Sequence, residues 1–169
     1  MATPKPLTVP PIFQRLLPPP TIPADNPQTV EGIALGRKLF YDPILSGNGT
    51  QACASCHNPS NAFTDENQFS IGIDGIEGTR NSMPIYNLAW NTDSKLFWDG
   101  RATSVEMQAL EPVTNPIEMH NTWENAVGNL QNTNEYPELF NKAFGTTTIT
   151  KELTAKAIAQ FERTLISAN

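Results

Sequence analysis

Apolar residues recur at helical spacing in five stretches of this chain, and nowhere do they alternate with the period of two that a half-buried strand needs. The first predicted helix covers 28–41 (QTVEGIALGRKLFY). Asn26 or Thr29 can cap it, Pro27 can sit in its first turn, and Pro43 follows its end. Val30, Ile33, Ala34 and Phe40 fall near one face, and Leu35 and Leu39 widen it. A helix over 103–111 begins at a Thr103 cap with Glu106 three residues on, the spacing of a capping box, and Pro112 ends it. Thr122 caps a helix over 122–132, and a short one follows at 135–144. The last, 151–167, starts after Thr150 and sets Leu153, Ala157, Ile158, Phe161 and Leu165 along one stripe.

The segments between these helices are long. SGNGTQACASCHNPS is a Gly/Asn turn region that enters a short helical turn. Residues 58–100 read mainly as loop, with Gly72, Gly75 and Gly78 at every third position and Pro84 after them. Residues 1–27 hold more than half of the 15 prolines, including Pro10–Pro11 and Pro18–Pro19–Pro20. Proline lacks the amide donor, so this arm is expected to be neither helix nor central strand but an extended run over a surface or a linker. The organisation that follows is an arm, 1–27, and one all-α domain, 28–169, with no internal repeat.

Composition sharpens this picture. Only 38% of the 169 residues are hydrophobic and 17% charged, low values for a plain globular chain. So much ordered loop needs something central to pack on. The net charge of -6 speaks against a nucleic acid partner, which wants a basic footprint. No apolar run approaches the ~18 residues of a membrane span. The N-terminus lacks the charged-then-apolar pattern of a signal peptide, so Met1 is expected to be an artificial start or a trimmed mature end.

The two cysteines stand in one motif, Cys53-Ala-Ser-Cys56-His57. C-x-x-C-H attaches a c-type haem: each thiol adds across a vinyl group and the adjacent imidazole reaches the iron. The tight spacing lets all three meet one edge and one face of a porphyrin. A thioredoxin-like dithiol would need a preceding strand and a βαβ setting, which the pattern does not offer. A tetrahedral zinc site would need about four ligands, and the only other histidine is the distant His120. One covalent haem c, with His57 on the iron, is therefore expected, and with both thiols used no disulfide is left. The sixth iron position decides between electron transfer and reaction with peroxide. Met83, Met107, Met119 and His120 are the residues able to close it, although Met is more often core filler and His120 reads as a surface residue.

The order of motifs LGRKLFYDPILSGNGTQACASCHNPSNAFTD (35–65), GIEGTRNSMPIYNLAWN (75–91) and LFWDGRATSVEMQALEPVTNPIEM (96–119) resembles the bacterial di-haem cytochrome c peroxidases and their MauG-type relatives. The resemblance covers most of 28–169 and matches only the N-terminal of that family's two haem domains, the one that reacts with peroxide. It implies a cytochrome c-like helical domain wrapped around its haem. It implies that His57 is the proximal ligand and that Gln108 and Glu118 are the polar pair of the distal pocket. Trp98 matches the tryptophan between the two haems, and Asn81 matches a side-chain ligand of a calcium ion between the domains. Many members carry a blocking histidine in the loop after the haem motif; none lies between 58 and 119 here, which implies a pocket that stays open, as in MauG-like members.

Residue chemistry points the same way. Glu118 is a lone acid among apolar and loop residues, suited to moving a proton between peroxide oxygens, although a solvated loop glutamate would read alike. Gln108 can hydrogen-bond peroxide or sit on an exposed helix face. Trp98 can carry an electron hole, yet a large aromatic is more often core. Arg101 can meet a haem propionate or simply Asp99. The expected function is reduction of hydrogen peroxide to water in the periplasm. The electrons would come from a small cytochrome c or cupredoxin through a second haem domain, elsewhere in a longer protein or on a separate chain. The alternatives are MauG-like oxidation of a protein partner and a mono-haem electron-transfer cytochrome.

Overall fold

Thr29 begins the helix on which the rest of the fold is laid. In the computed structural model, which describes residues 1–91 and 95–168, its hydroxyl accepts from the Gly32 amide at 3.0 Å and opens α2, Val30–Tyr41. Residues 92–94 of the predicted 58–100 loop, and Asn169, lie outside the described residues. The other helices are α1 (Pro11–Leu16), α3 (Cys53–Cys56), α4 (Val105–Thr114), α5 (Trp123–Gln131), α6 (Tyr136–Phe144) and α7 (Lys151–Glu162). Among the described residues the remaining structure is loop, three single turns of 3-10 helix and isolated bridges such as Leu96 with Ala102. The all-α class read from the sequence holds.

The buried face of α2 differs from the apolar stripe. Gly32, Leu35, Gly36, Leu39 and Phe40 are buried, while Val30 and Ala34 are exposed and Ile33 is half-buried. The cause is α7, which lies so close that a Cβ on Gly36 would overlap the Ala157 carbonyl oxygen. Two glycines bring the helices together, and hydrophobic periodicity cannot register a residue without a side chain. Asn26 does not cap this helix, and Pro27 precedes it.

Helix α4 starts and ends later than its sequence pattern implies. Ser104, not Thr103, is the cap, accepting from the Met107 amide at 3.1 Å, and the Thr103 hydroxyl turns to the Met107 sulfur. Pro112 lies inside the helix, in its last turn. The carbonyls beyond it are met by loop amides: Met119 donates to Pro112 at 3.2 Å and Asn121 to Val113 at 2.9 Å. The caps Thr122 and Thr150 are as expected. Helix α7 stops at Glu162 instead of 167, because Thr164 and Leu165 close tight turns onto Phe161 and Glu162. Leu165 still packs in the cluster of Phe40, Ile85 and Phe161. The Pro-rich arm contains a helix after all: α1 starts at Pro11, its first position, where the missing amide costs nothing, and holds no later proline. Elsewhere the arm lies on the body, with Phe13 edge-on to Trp90 at 5.2 Å and Pro18 accepting from the Trp90 indole.

The main core gathers Leu35 and Leu39 of α2, Val113 of α4, Leu130 of α5, Phe140 of α6 and Ile158 of α7. Beside it runs a buried polar seam. Gln160 accepts from the Thr29 amide at 3.0 Å and donates to Asn26 at 2.9 Å; Asn26 donates to Glu106 at 2.6 Å; and Arg163 meets Glu106 at 2.8 Å. It welds the start of α2 and the base of α4 to α7. Next to it, Glu162 is 4% exposed, and burial pushes its carboxyl up to about 8 although Arg163 pulls the other way. The unfolded chain ionises this group near the ordinary 4.5, so its stabilising contribution is complete below that pH and is lost as pH rises toward 8. Glu162→Gln should therefore flatten the fall of urea stability across about pH 5 to 8; parallel profiles for the two proteins would contradict this.

Candidate haem site

The haem motif folds as its spacing requires. Cys53–Cys56 form the single turn of α3, and His57 caps it with its amide on the Cys53 carbonyl. His57 Nδ1 lies 3.1 Å from the Phe63 carbonyl. Donation from Nδ1 to that carbonyl would leave Nε2 as the basic nitrogen, the arrangement that metal-ligating histidines adopt. Burial lowers the His57 pKa, which keeps the imidazole neutral.

His57 and Cys56 line a cavity of about 400 Å³. Its walls come from segments far apart in sequence: Asn81 and Met83–Ile85, then Leu96–Asp99 and Arg101, then Gln108 and Pro112 one turn apart on α4, and finally Asn115 and Glu118. Seven of the eight residues singled out from the sequence thus share one cavity. Cys53 stands just behind it, packed with Phe40, Ile85 and Phe161. Of the four residues able to close the sixth position, Met83 alone lines the cavity. Met119 is buried in the main core, Met107 is exposed, and His120 sits on the surface beside Asp74.

The residues present fit a covalent haem. The histidine lines the cavity, the cysteine pair stands beside it, and the cavity carries an apolar wall of Ile85, Leu88 and Leu96. They fit the competing chemistries poorly. A redox dithiol needs a lowered thiol pKa, whereas burial pushes Cys53 up to about 12 and raises Cys56. Among the described residues no three His, Cys, Asp or Glu side chains gather as a metal site.

The polar side chains of the cavity are ordered by their own partners. Burial raises the Glu118 carboxyl above the ordinary glutamate value, opposed by the Asn115 amide and the Arg101 charge. Arg101 is held by Asp99 at 2.9 Å and Glu111 at 2.7 Å and stacks 3.6 Å over Phe97, so the Asp99 pairing read from the sequence is present. Trp98 is 60% exposed, which overturns its reading as a core aromatic; its indole donates to the Asn81 carbonyl at 2.8 Å. The Asn81 side chain is tied into its own loop, accepting from Thr64 at 2.9 Å and donating to the Asn67 carbonyl at 2.7 Å.

Sequence reasoning missed Pro112 and Asn115 as cavity residues. Asn115 had a usable signal, an Asn-Pro step three residues before the candidate acid. It also missed the clamp on the Glu118 turn. Gly72 fits there only because it lacks a side chain, since a Cβ would overlap the Ile117 carbonyl, and Ile73 donates to the Glu118 carbonyl at 3.0 Å.

A family model described as "Di-haem cytochrome c peroxidase" matches residues 30–169. The chain belongs to the di-haem cytochrome c peroxidase family. It is 39% identical over 151 residues to the methylamine utilization protein MauG of Methylophilus methylotrophus, covering 88% of this chain and 44% of that protein. It is 40% identical over 146 residues to cytochrome c551 peroxidase of Nitrosomonas europaea, covering 86% and 43%. The crystal structure of a MauG-like protein associated with microbial copper homeostasis superposes with a TM-score of 0.82 at 36% identity, over 89% of this chain and 45% of that one. The chain thus spans less than half the length of these di-haem peroxidase relatives. No helix among its described residues is long and apolar enough to cross a membrane.

Proposed function

We propose that this chain is the N-terminal, peroxide-reacting domain of a di-haem cytochrome c peroxidase-like enzyme of the periplasm, carrying one covalent haem c. One observation carries the reading: His57, Gln108 and Glu118, from three separate segments, line the same cavity. Cys53 and Cys56 would hold the macrocycle through thioether links, and His57 would offer its imidazole to the iron. When bound, the haem would supply redox-active iron able to react with peroxide. Glu118 takes the proton from one peroxide oxygen and returns it to the other, the departing one. Gln108 donates a hydrogen bond that orients the peroxide. With two electrons and two protons, one hydrogen peroxide becomes two waters. The electrons come from a small cytochrome c or cupredoxin through a second haem domain, and exposed Trp98 is the face at which they enter.

A MauG-like role, oxidation of a protein partner, is the second reading. It is supported by the absence of histidine from 58–119 and by the similarity to MauG proteins. Both readings separate from a mono-haem electron carrier in one experiment. The matured ferric protein is expected to show a high-spin spectrum, five-coordinate or water-ligated, that hydrogen peroxide perturbs. A low-spin His–Met or His–His spectrum unchanged by peroxide would overturn them.

A further inference from the structure

The Asn115–Pro116 step closes α4 and opens the turn that carries Glu118. Proline at 116 bars its predecessor from helical geometry, and Asn115 sits at φ -70°, ψ 120°. Its two side-chain atoms do different work. Oδ1 accepts from the Ile117 amide at 3.0 Å and builds the turn. Nδ2 donates to Glu118 Oε1 at 2.7 Å. The Asn115 carbonyl closes the same turn by accepting from the amides of Glu118 at 3.1 Å and His120 at 3.0 Å.

We propose that Asn115 is the positioning residue for Glu118: it holds one carboxyl oxygen and leaves the other, Oε2, to act in the cavity. The proposal rests on the role assigned to Glu118 above. Among the described residues Oε2 has no hydrogen-bond partner, while Oε1 is taken. An aspartate at 115 would build the turn equally well but would offer no donor and would set a like charge against the acid. A serine would build the turn and fall short of the carboxyl. Asparagine does both tasks.

A donor on the ionised form also draws down the pKa that burial raises. Charged and titratable groups face Glu118 from several segments. Arg101 acts in the same direction as Asn115, and Glu111 acts against both; Cys56 lies across the cavity; and the Asp74–His120 pair flanks the turn on its outer side.

The test uses the haem-loaded protein and two variants, Asn115→Asp and Asn115→Ser, both of which keep an acceptor for the Ile117 amide. The carboxylic acid C=O band of Glu118, assigned by its absence in Glu118→Gln, is titrated by infrared spectroscopy. Both variants should raise its midpoint by about one to two pH units. The acid limb of the peroxide reaction should move by the same interval. Either variant added to Glu118→Gln should slow that protein no further. An unmoved infrared midpoint in Asn115→Ser, with Glu118→Gln still slowed, overturns the proposal and spares Glu118. A peroxide rate unchanged in Glu118→Gln overturns the role of Glu118 and the proposal with it.

Discussion

Glu118→Gln is expected to keep its haem and to react with hydrogen peroxide about 10²- to 10⁴-fold more slowly than the wild type, the usual contribution of a positioned acid–base group. Glutamine preserves the size of the side chain and its ability to hydrogen-bond, so the cavity should survive. What it loses is a proton-carrying oxygen. The pH dependence gives a sharper readout than the rate alone. In the proposed role the group must be ionised to accept the first proton, so the wild-type rate should fall as pH drops through the Glu118 pKa. Burial places that pKa above the ordinary 4.5, so the limb lies to the alkaline side of an exposed glutamate's. In Glu118→Gln the limb should vanish. Stopped-flow absorbance of the ferric protein mixed with peroxide measures both effects, and equal rates with equal limbs would remove Glu118 from the mechanism.

Arg163→Ala should destabilise the fold by about 3–5 kcal/mol, a loss few single substitutions cause. The Arg163 and Glu106 side chains are 4% and 17% exposed and meet at 2.8 Å. Truncating the arginine leaves the partly buried Glu106 with only the Asn26 amide, and leaves the Glu162 carboxyl without the nearby positive charge. The cost is that of stranded charge, which exceeds the net value of the pair itself. For a chain of this size each kcal/mol lowers Tm by about 2–4 °C, so the melt followed by helical circular dichroism should fall by roughly 10 °C. A change within about 1 °C would show that water reaches this seam freely. Because the seam joins α2, α4 and α7, the same substitution should also loosen the helix that presents Gln108.

Pattern and structure part most clearly at α4. Both Thr103 and Ser104 are competent caps; Ser104 takes the role, and Glu106, the expected partner in a capping box, is drawn instead to Arg163, the C-cap of α7. A contact with a partner 57 residues away outranks a local motif. Pro112 reads as a terminator, yet the helix carries it, because the amides of Met119 and Asn121 return to serve the carbonyls at its end. The buried face of α2 departs from its apolar stripe for a similar reason: Gly36 makes the interface by having no side chain. Trp98 is exposed despite its size, and no periodicity distinguishes a rim aromatic from a core one.

The caps at Thr29, Thr122 and Thr150, the haem motif and the helical class are legible in the one-dimensional pattern. Each depends on neighbours within about one turn: a hydroxyl and an amide three residues on, or two thiols and an imidazole along five consecutive residues. The cavity is not of this kind. His57, Trp98, Gln108 and Glu118 come from separate segments and share a cavity only in the folded chain. Which oxygen of Glu118 is held, and by whom, depends on a turn clamped from outside by Gly72 and Ile73. Local order needs only short-range hydrogen bonding and excluded volume, whereas convergence of distant side chains needs long-range burial to offset the entropy lost in closing the loops.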